Sequence, residues 1–186
     1  IENRYYRFNK AELKFCIGIK MKILFCDIDS TINNHWVRIQ KWAQPSFPGT
    51  SIHPNAFTRE EIMKDLPIEN SIESIKKFST EYEIHFLSAR NFPESWDITK
   101  QWLDKWGFPY KSINIVRSSI DKVQFVKQNP CDLFIDDFSK GQEYGESYQV
   151  LYTDTINQLR DMGVNLEVFK NNWTELVQKY FTDSEF

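Results

Sequence analysis

The chain has 186 residues and a formal net charge of −3, a size for one domain with a small insert and a charge that argues against a nucleic-acid polymer as partner, because such partners call for a basic face. No apolar run approaches the roughly 20 residues that span a bilayer. The three cysteines, Cys16, Cys26 and Cys131, have neither metal-ligand spacing nor an even disulfide set, so reduced thiols in a cytoplasm are expected and a zinc site is not.

Residues 1–20 lack the basic, apolar and small-residue pattern of a secretory signal. They read as an N-terminal extension or an edge element, with Met21 just ahead of the first strong apolar run. From there, short apolar runs alternate with helix-like stretches, the pattern of an α/β fold with a parallel sheet. The first run is 22–26 and ends at Asp27. A helix is expected over 71–82, where Ile72, Ile75 and Phe78 have helical spacing. The second run, 83–87, ends at Ser88. Pro93 suits the first turn of the next helix, Ile98, Trp102, Leu103 and Trp106 form its stripe, and Gly107 suits its C-terminal cap. The third run is 112–116, and a shorter helix is expected from Ser118, which has capping-box spacing to Asp121. The fourth run, 131–135, ends at Asp136-Asp137. A fifth run is read at 149–152, followed by a helical tail at about 173–181.

Residues 32–69 differ in character. Pro45, Pro48, Gly49 and Pro54 separate two expected helices, near 34–43 and 57–66, the second with a Thr58–Glu61 capping box. The stretch reads as a small helical cap inserted into a core domain made of 21–31 and 70–186.

Three runs end in reactive residues: Asp27, Ser88 and Asp136-Asp137. In open parallel sheets ligands bind outside the carboxyl ends of the strands, so these residues are expected to converge. Asp27 and Asp29 lie two apart, which turns both carboxylates the same way on extended backbone. With Asp136 they suit a hard divalent cation such as magnesium. The other reading of 27–31 is a polar turn after a strand.

The runs and their terminal residues resemble the haloacid dehalogenase superfamily. Ile23-Leu-Phe-Cys-Asp27-Ile-Asp29-Ser-Thr31 is similar to its first motif, Ile84-His-Phe-Leu-Ser88 to its second, Lys122 at a helix start to its third, and Leu133-Phe-Ile-Asp136-Asp137 to its fourth. The resemblance implies a Rossmann-like three-layer sandwich around a central parallel sheet. It also implies a phosphatase that works through an aspartyl-phosphate. Asp27 would be the nucleophile and Asp29 the general acid, then base. Magnesium would be held by Asp27, the Asp29 carbonyl and Asp136. Ser88 and the N–H groups near Ala89 and Arg90 would hold the phosphate, Lys122 would neutralise charge, and Asp137 would tune the metal or orient Lys122. Lys127 rivals Lys122 for that role, and an exposed helix-start lysine is the plain alternative. The family most often has Gly where Ser30 stands and the chain turns away from the strand, and Ser tolerates positive φ poorly.

The stretches 82–90, 102–109, 121–122 and 135–137 resemble more narrowly the 5′(3′)-deoxyribonucleotidases and their bacterial and phage relatives. That resemblance implies a small phosphorylated substrate, a nucleoside monophosphate, with cap aromatics against the base. Trp36, Trp42, Phe47 and Phe57 are the candidates, the alternative being that they join cap to core. A sugar phosphate or other small metabolite as substrate, and a catalytically silent binding module, stand as other readings.

Overall fold

The computed structural model describes residues 20–46, 49–140 and 150–181. At its centre is a five-stranded sheet of order β7-β6-β1-β8-β9. The strands are β1 (Lys22–Cys26), β6 (Tyr82–Ala89), β7 (Ser112–Val116), β8 (Leu133–Asp136) and β9 (Leu166–Val168). Every pairing is parallel, with Cys26 opposite Phe86 on one side and Ile135 on the other. Because alternate residues of a strand face opposite ways, β1 feeds two cores. Leu24 and Cys26 join one apolar cluster, and Phe25 joins the other.

The first cluster is covered by α3 (Ser71–Phe78), α4 (Ser95–Trp106) and α7 (Trp173–Phe181), through Ile75, Phe78, Trp102, Leu103, Trp173 and Leu176. The second is covered by α5 (Ser119–Gln128) and α6 (Thr153–Asp161), through Val126, Ile156 and Leu159. The result is the expected three-layer α/β sandwich. Burying a side chain as large as Leu or Phe stabilises the fold by about 1.5–3 kcal/mol, so these stripes fix each helix to its face. Among the described residues, no helix is long and apolar enough to cross a membrane.

The fifth strand lies elsewhere than expected. Residues 149–152 do not form it. Leu151 makes one isolated antiparallel bridge to Ser139, Tyr152 precedes α6, and Gln149 is outside the described residues. The edge is β9 instead, paired from Phe134–Leu166 to Asp136–Val168. Its three residues include Glu167, too short and too polar a run to stand out in the sequence.

The stretch from 33 to 67 is also more than a helix pair. Its entry, β2 (Asn33–Asn34), pairs antiparallel with its exit, β5 (Leu66–Pro67). Between them come α1 (Trp36–Trp42), a hairpin of β3 (Ala43–Ser46) and β4 (Gly49–Ile52), a 3-10 turn (Pro54–Phe57) and the single-turn α2 (Arg59–Ile62). The helix expected over 57–66 shrinks to that turn because Leu66 leaves to pair with Asn34. Its capping box does not form either. The Thr58 hydroxyl donates to the Asn55 carbonyl, 3.0 Å, and Glu61 accepts from Lys41 at 2.8 Å, Trp42 at 2.9 Å and Lys64 at 2.7 Å. The Ser118 hydroxyl similarly bonds the Asp121 carboxylate, 2.8 Å, rather than capping α5. Residues 1–19 and Phe47 lie outside the described residues.

Candidate active site

Asp27 follows the last residue of β1, and its N–H donates to the Ile135 carbonyl of β8 at 2.9 Å, which sets it beside Asp136. Lys122, on the second turn of α5, is buried with them. Its ammonium donates to Asp27 Oδ1 at 2.9 Å and to Asp136 Oδ2 at 2.6 Å. Lys127 is exposed. One oxygen from each of Asp27, Asp136 and Asp137 lies within 4.8 Å of the others. Burial opposes the Lys122 ammonium, yet Asp136 and Asp27 outweigh it and raise its pKa. Burial pushes the Asp137 carboxyl up, and the Asp136 and Asp27 charges push it further. With one ammonium among three buried carboxyl groups, further positive charge is needed for all three to be ionised together. Hard oxygen donors at this spacing suit a small divalent cation.

The Asp29 carboxylate stands apart from that cluster. Arg90 grips it with two bonds, Nε to Oδ2 and a terminal nitrogen to Oδ1, both 2.8 Å, while its other terminal nitrogen donates to Thr99 Oγ1 at 2.7 Å. Burial alone would raise the Asp29 pKa, but the Arg90 charge holds it well below the usual carboxylate range. His35 Nδ1 lies 4.0 Å from Asp29 Oδ1, and burial lowers that imidazole to about 4, so it is neutral at pH 7. The expected use of the Arg90 N–H for phosphate does not hold. That group donates to the Val116 carbonyl, 3.1 Å, and extends the β6–β7 ladder.

Long-range contacts shape the loops. Thr31 is fully buried; its hydroxyl accepts from the Asp137 N–H at 3.2 Å and faces Asp137 Oδ1 at 3.4 Å. Its carbonyl accepts from Trp173 Nε1 at 2.8 Å. Asp137 also accepts from the Ser139 N–H and hydroxyl, so its hydrogen bonds tie loops together rather than orient Lys122. Ser30 does adopt the left-handed turn, φ 60°, and Phe138 adopts another at φ 48°. Such backbone costs on the order of 1–3 kcal/mol per residue and gathers at functional sites. Here the Phe138 ring is buried against Phe134, and its N–H donates to Asp136 Oδ1 at 2.7 Å.

These residues lie in a cavity of about 670 Å³ that Asp27, Asp29, Ser88, Ala89, Arg90, Lys122, Asp136 and Asp137 all line. Of the cap aromatics, Phe57 lines it and stacks on Phe92, centroids 5.6 Å apart. Trp36 and Trp42 do not line it. Trp36 stacks on His35, while Trp42 stacks on His53 and donates to Glu61. Sequence reasoning missed His35, Arg38, Phe92, Arg117 and Lys140, which also line the cavity. Only Phe92 carried a signal, as an aromatic beside a helix-starting proline. Arg38 is buried, donates to both Asp65 oxygens and to the Ala56 carbonyl, and lies 5.9 Å from the Phe57 ring.

No protein-family profile matches the sequence, and no curated protein matches it. Solved structures do resemble the fold. A hydrolase of the haloacid dehalogenase-like family from Streptococcus pneumoniae superposes with a TM-score of 0.51 at 13% identity, over 86% of this chain and 98% of that one. A chain of the Pnkp1/Rnl/Hen1 RNA repair complex superposes with a TM-score of 0.51 at 14% identity, over 80% of this chain and 42% of that one. A second structure of the complex gives 0.52 at 13% identity, over 91% and 51%. The chain thus spans about half the length of the RNA-repair chains it matches. The fold is the haloacid dehalogenase-like fold.

Proposed function

We propose that the chain is a magnesium-dependent phosphomonoesterase of the haloacid dehalogenase type that acts on a nucleoside monophosphate, with residues 32–69 as its cap. The observation that carries this reading is the Lys122 ammonium held between Asp27 and Asp136 where β1 and β8 end. One Asp27 oxygen is occupied by Lys122, and the other attacks phosphorus. The ester P–O bond breaks, and the leaving oxygen takes its proton from the Asp29 carboxyl. Water then attacks the phosphorus of the aspartyl-phosphate, its proton passes to Asp29, and the Asp27 carboxylate is restored as phosphate departs. Magnesium on Asp27, Asp136 and the Asp29 carbonyl would offset carboxylate charge and polarise the phosphoryl oxygens. Ser88 and Ala89 would bind those oxygens, and Lys122 would stabilise charge in the transition state.

Arg90 refines the role of Asp29. A carboxylate held as the anion by a two-bond guanidinium suits the base half of the cycle and opposes the acid half. Substrates with good leaving groups should therefore turn over best unless the leaving group displaces Arg90 from one oxygen. The likeness to the RNA-repair chains is one of fold and names no substrate here.

The test is hydrolysis of p-nitrophenyl phosphate with magnesium and with a chelator. Turnover should need the metal and vanish in Asp27→Asn. Metal-independent turnover, or an active Asp27→Asn, would overturn the reading.

A further inference from the structure

Five cations line the cavity: Arg38, Arg90, Arg117, Lys122 and Lys140. Four are engaged. Arg38 is paired with Asp65, Arg90 with Asp29, and Lys122 with Asp27 and Asp136, while the Lys140 ammonium lies 5.2 Å over the Tyr152 ring. Arg117 is exposed and has no carboxylate, carbonyl or ring partner among the described residues.

Its place in the fold is informative. It follows β7, whose last carbonyl, on Val116, accepts the Arg90 N–H. Arg117 therefore leaves the sheet where the β6–α4 loop starts, two residues before Phe92 and its stacking partner Phe57. Ser118 and Ser119, at the start of α5, line the same rim. The opposite flank, beyond β8, places Asp154 near Lys140 in the cavity wall, a poor setting for an added anion. The cavity's 670 Å³ lies within the roughly 300–1,000 Å³ of small-molecule and cofactor pockets, well beyond a lone phosphate. A guanidinium fork matches phosphate oxygens in pairs.

We infer that Arg117 is a specificity residue that holds a second phosphate of the substrate, while the first reacts at Asp27 and the base lies against Phe57 and Phe92. This rests on the phosphatase reading above and changes its substrate from a nucleoside monophosphate to one with two phosphate groups, of which one is the reacting monoester. The second could be the free phosphate of a nucleoside bisphosphate or the diester of a phosphate-ended dinucleotide.

The experiment compares kcat/KM with magnesium for p-nitrophenyl phosphate, thymidine 3′- and 5′-monophosphates, thymidine 3′,5′-bisphosphate, and thymidine dinucleotides ending in a 3′- or 5′-phosphate. Bonds to charged groups predict that a two-phosphate substrate exceeds the monophosphates by roughly ten- to hundredfold. Arg117→Ala should collapse that gap, Arg117→Lys should keep part of it, and turnover of the aryl phosphate, which lacks a second anion, should stay within about twofold. A preferred bisphosphate identifies a terminal phosphate, and a preferred dinucleotide identifies the diester. A wild-type enzyme without the preference, a gap that survives Arg117→Ala, or an equal loss on every substrate would each overturn the inference. If wild type fails on the aryl phosphate as well, the phosphatase reading itself falls.

Discussion

At the floor of the cavity, main-chain bonds of a parallel sheet place Asp27 beside Asp136 and tie the β6 and β7 ends together. The stretch from 33 to 67, which supplies His35, Arg38 and Phe57 to the same cavity, is held in another way. It closes on itself through a two-residue strand pair and a buried Arg38–Asp65 ion pair. It meets α4 through side chains: Trp102 Nε1 donates to the Asp65 carbonyl at 3.0 Å, Lys105 to the Met63 carbonyl at 2.7 Å, and Arg59 pairs with Glu94 at 2.8 Å. A ladder shares strain among many bonds, whereas a few side-chain contacts can be cut one at a time. Damage to the floor should therefore abolish chemistry, and damage to the inserted stretch should change recognition or stability while chemistry survives.

The sharpest break is Asp27→Asn, which removes the attacking oxygen. Turnover should fall by at least about three orders of magnitude on every substrate, with far-ultraviolet circular dichroism unchanged. Lys122→Met comes next. It strands three buried carboxylates without their ammonium, so activity is lost and urea unfolding should report about 3–5 kcal/mol less stability. Magnesium should restore more of this in the variant than it adds to wild type, since it supplies the missing positive charge.

On the other side of the comparison, Asp65→Asn leaves Arg38 without its counter-charge. Roughly 2–3 kcal/mol of stability should go, while p-nitrophenyl phosphate turnover in the folded fraction stays within about tenfold. Arg90→Met tests the link between the regions through pH. Arg90 depresses the folded pKa of Asp29, so the stability it contributes is present above the ordinary value of 3.8 and is lost as pH falls through the lower folded value. The gap between wild type and variant, about 2 kcal/mol at neutral pH, should narrow below about pH 4 in thermal melts. The effect confined to one class of substrate is that of Phe57→Ala. It should raise KM for nucleotides about five- to hundredfold if a base stacks there, and Trp36→Ala and Trp42→Ala should not.

The same contrast explains how much was legible in the sequence. Strands β1, β6 and β8 are apolar runs that stop at reactive residues, so local pattern and sheet topology locate Asp27, Ser88 and Asp136-Asp137. Lys122 falls into place because a helix after β7 must return over the sheet. Arg38 carries no such mark. Its burial depends on Asp65, Ala56 and Phe57, brought near by the β2–β5 pairing of two-residue strands with no periodicity to read. Arg90 was legible as a neighbour of Ser88, but not as the clamp on Asp29, 61 positions away. Trp36 and Trp42 misled because an aromatic in a cap has two uses, and here the local partners His35, His53 and Glu61 took them.

The bond from Trp173 to the Thr31 carbonyl joins positions 142 residues apart. On a ribosome adding roughly 5–20 residues per second, the loop after β1 waits about 7–30 s for the helix that fixes it. A nascent chain that has not yet formed α7 therefore lacks the bond that ties this loop, and activity should emerge only after α7 has cleared the exit tunnel.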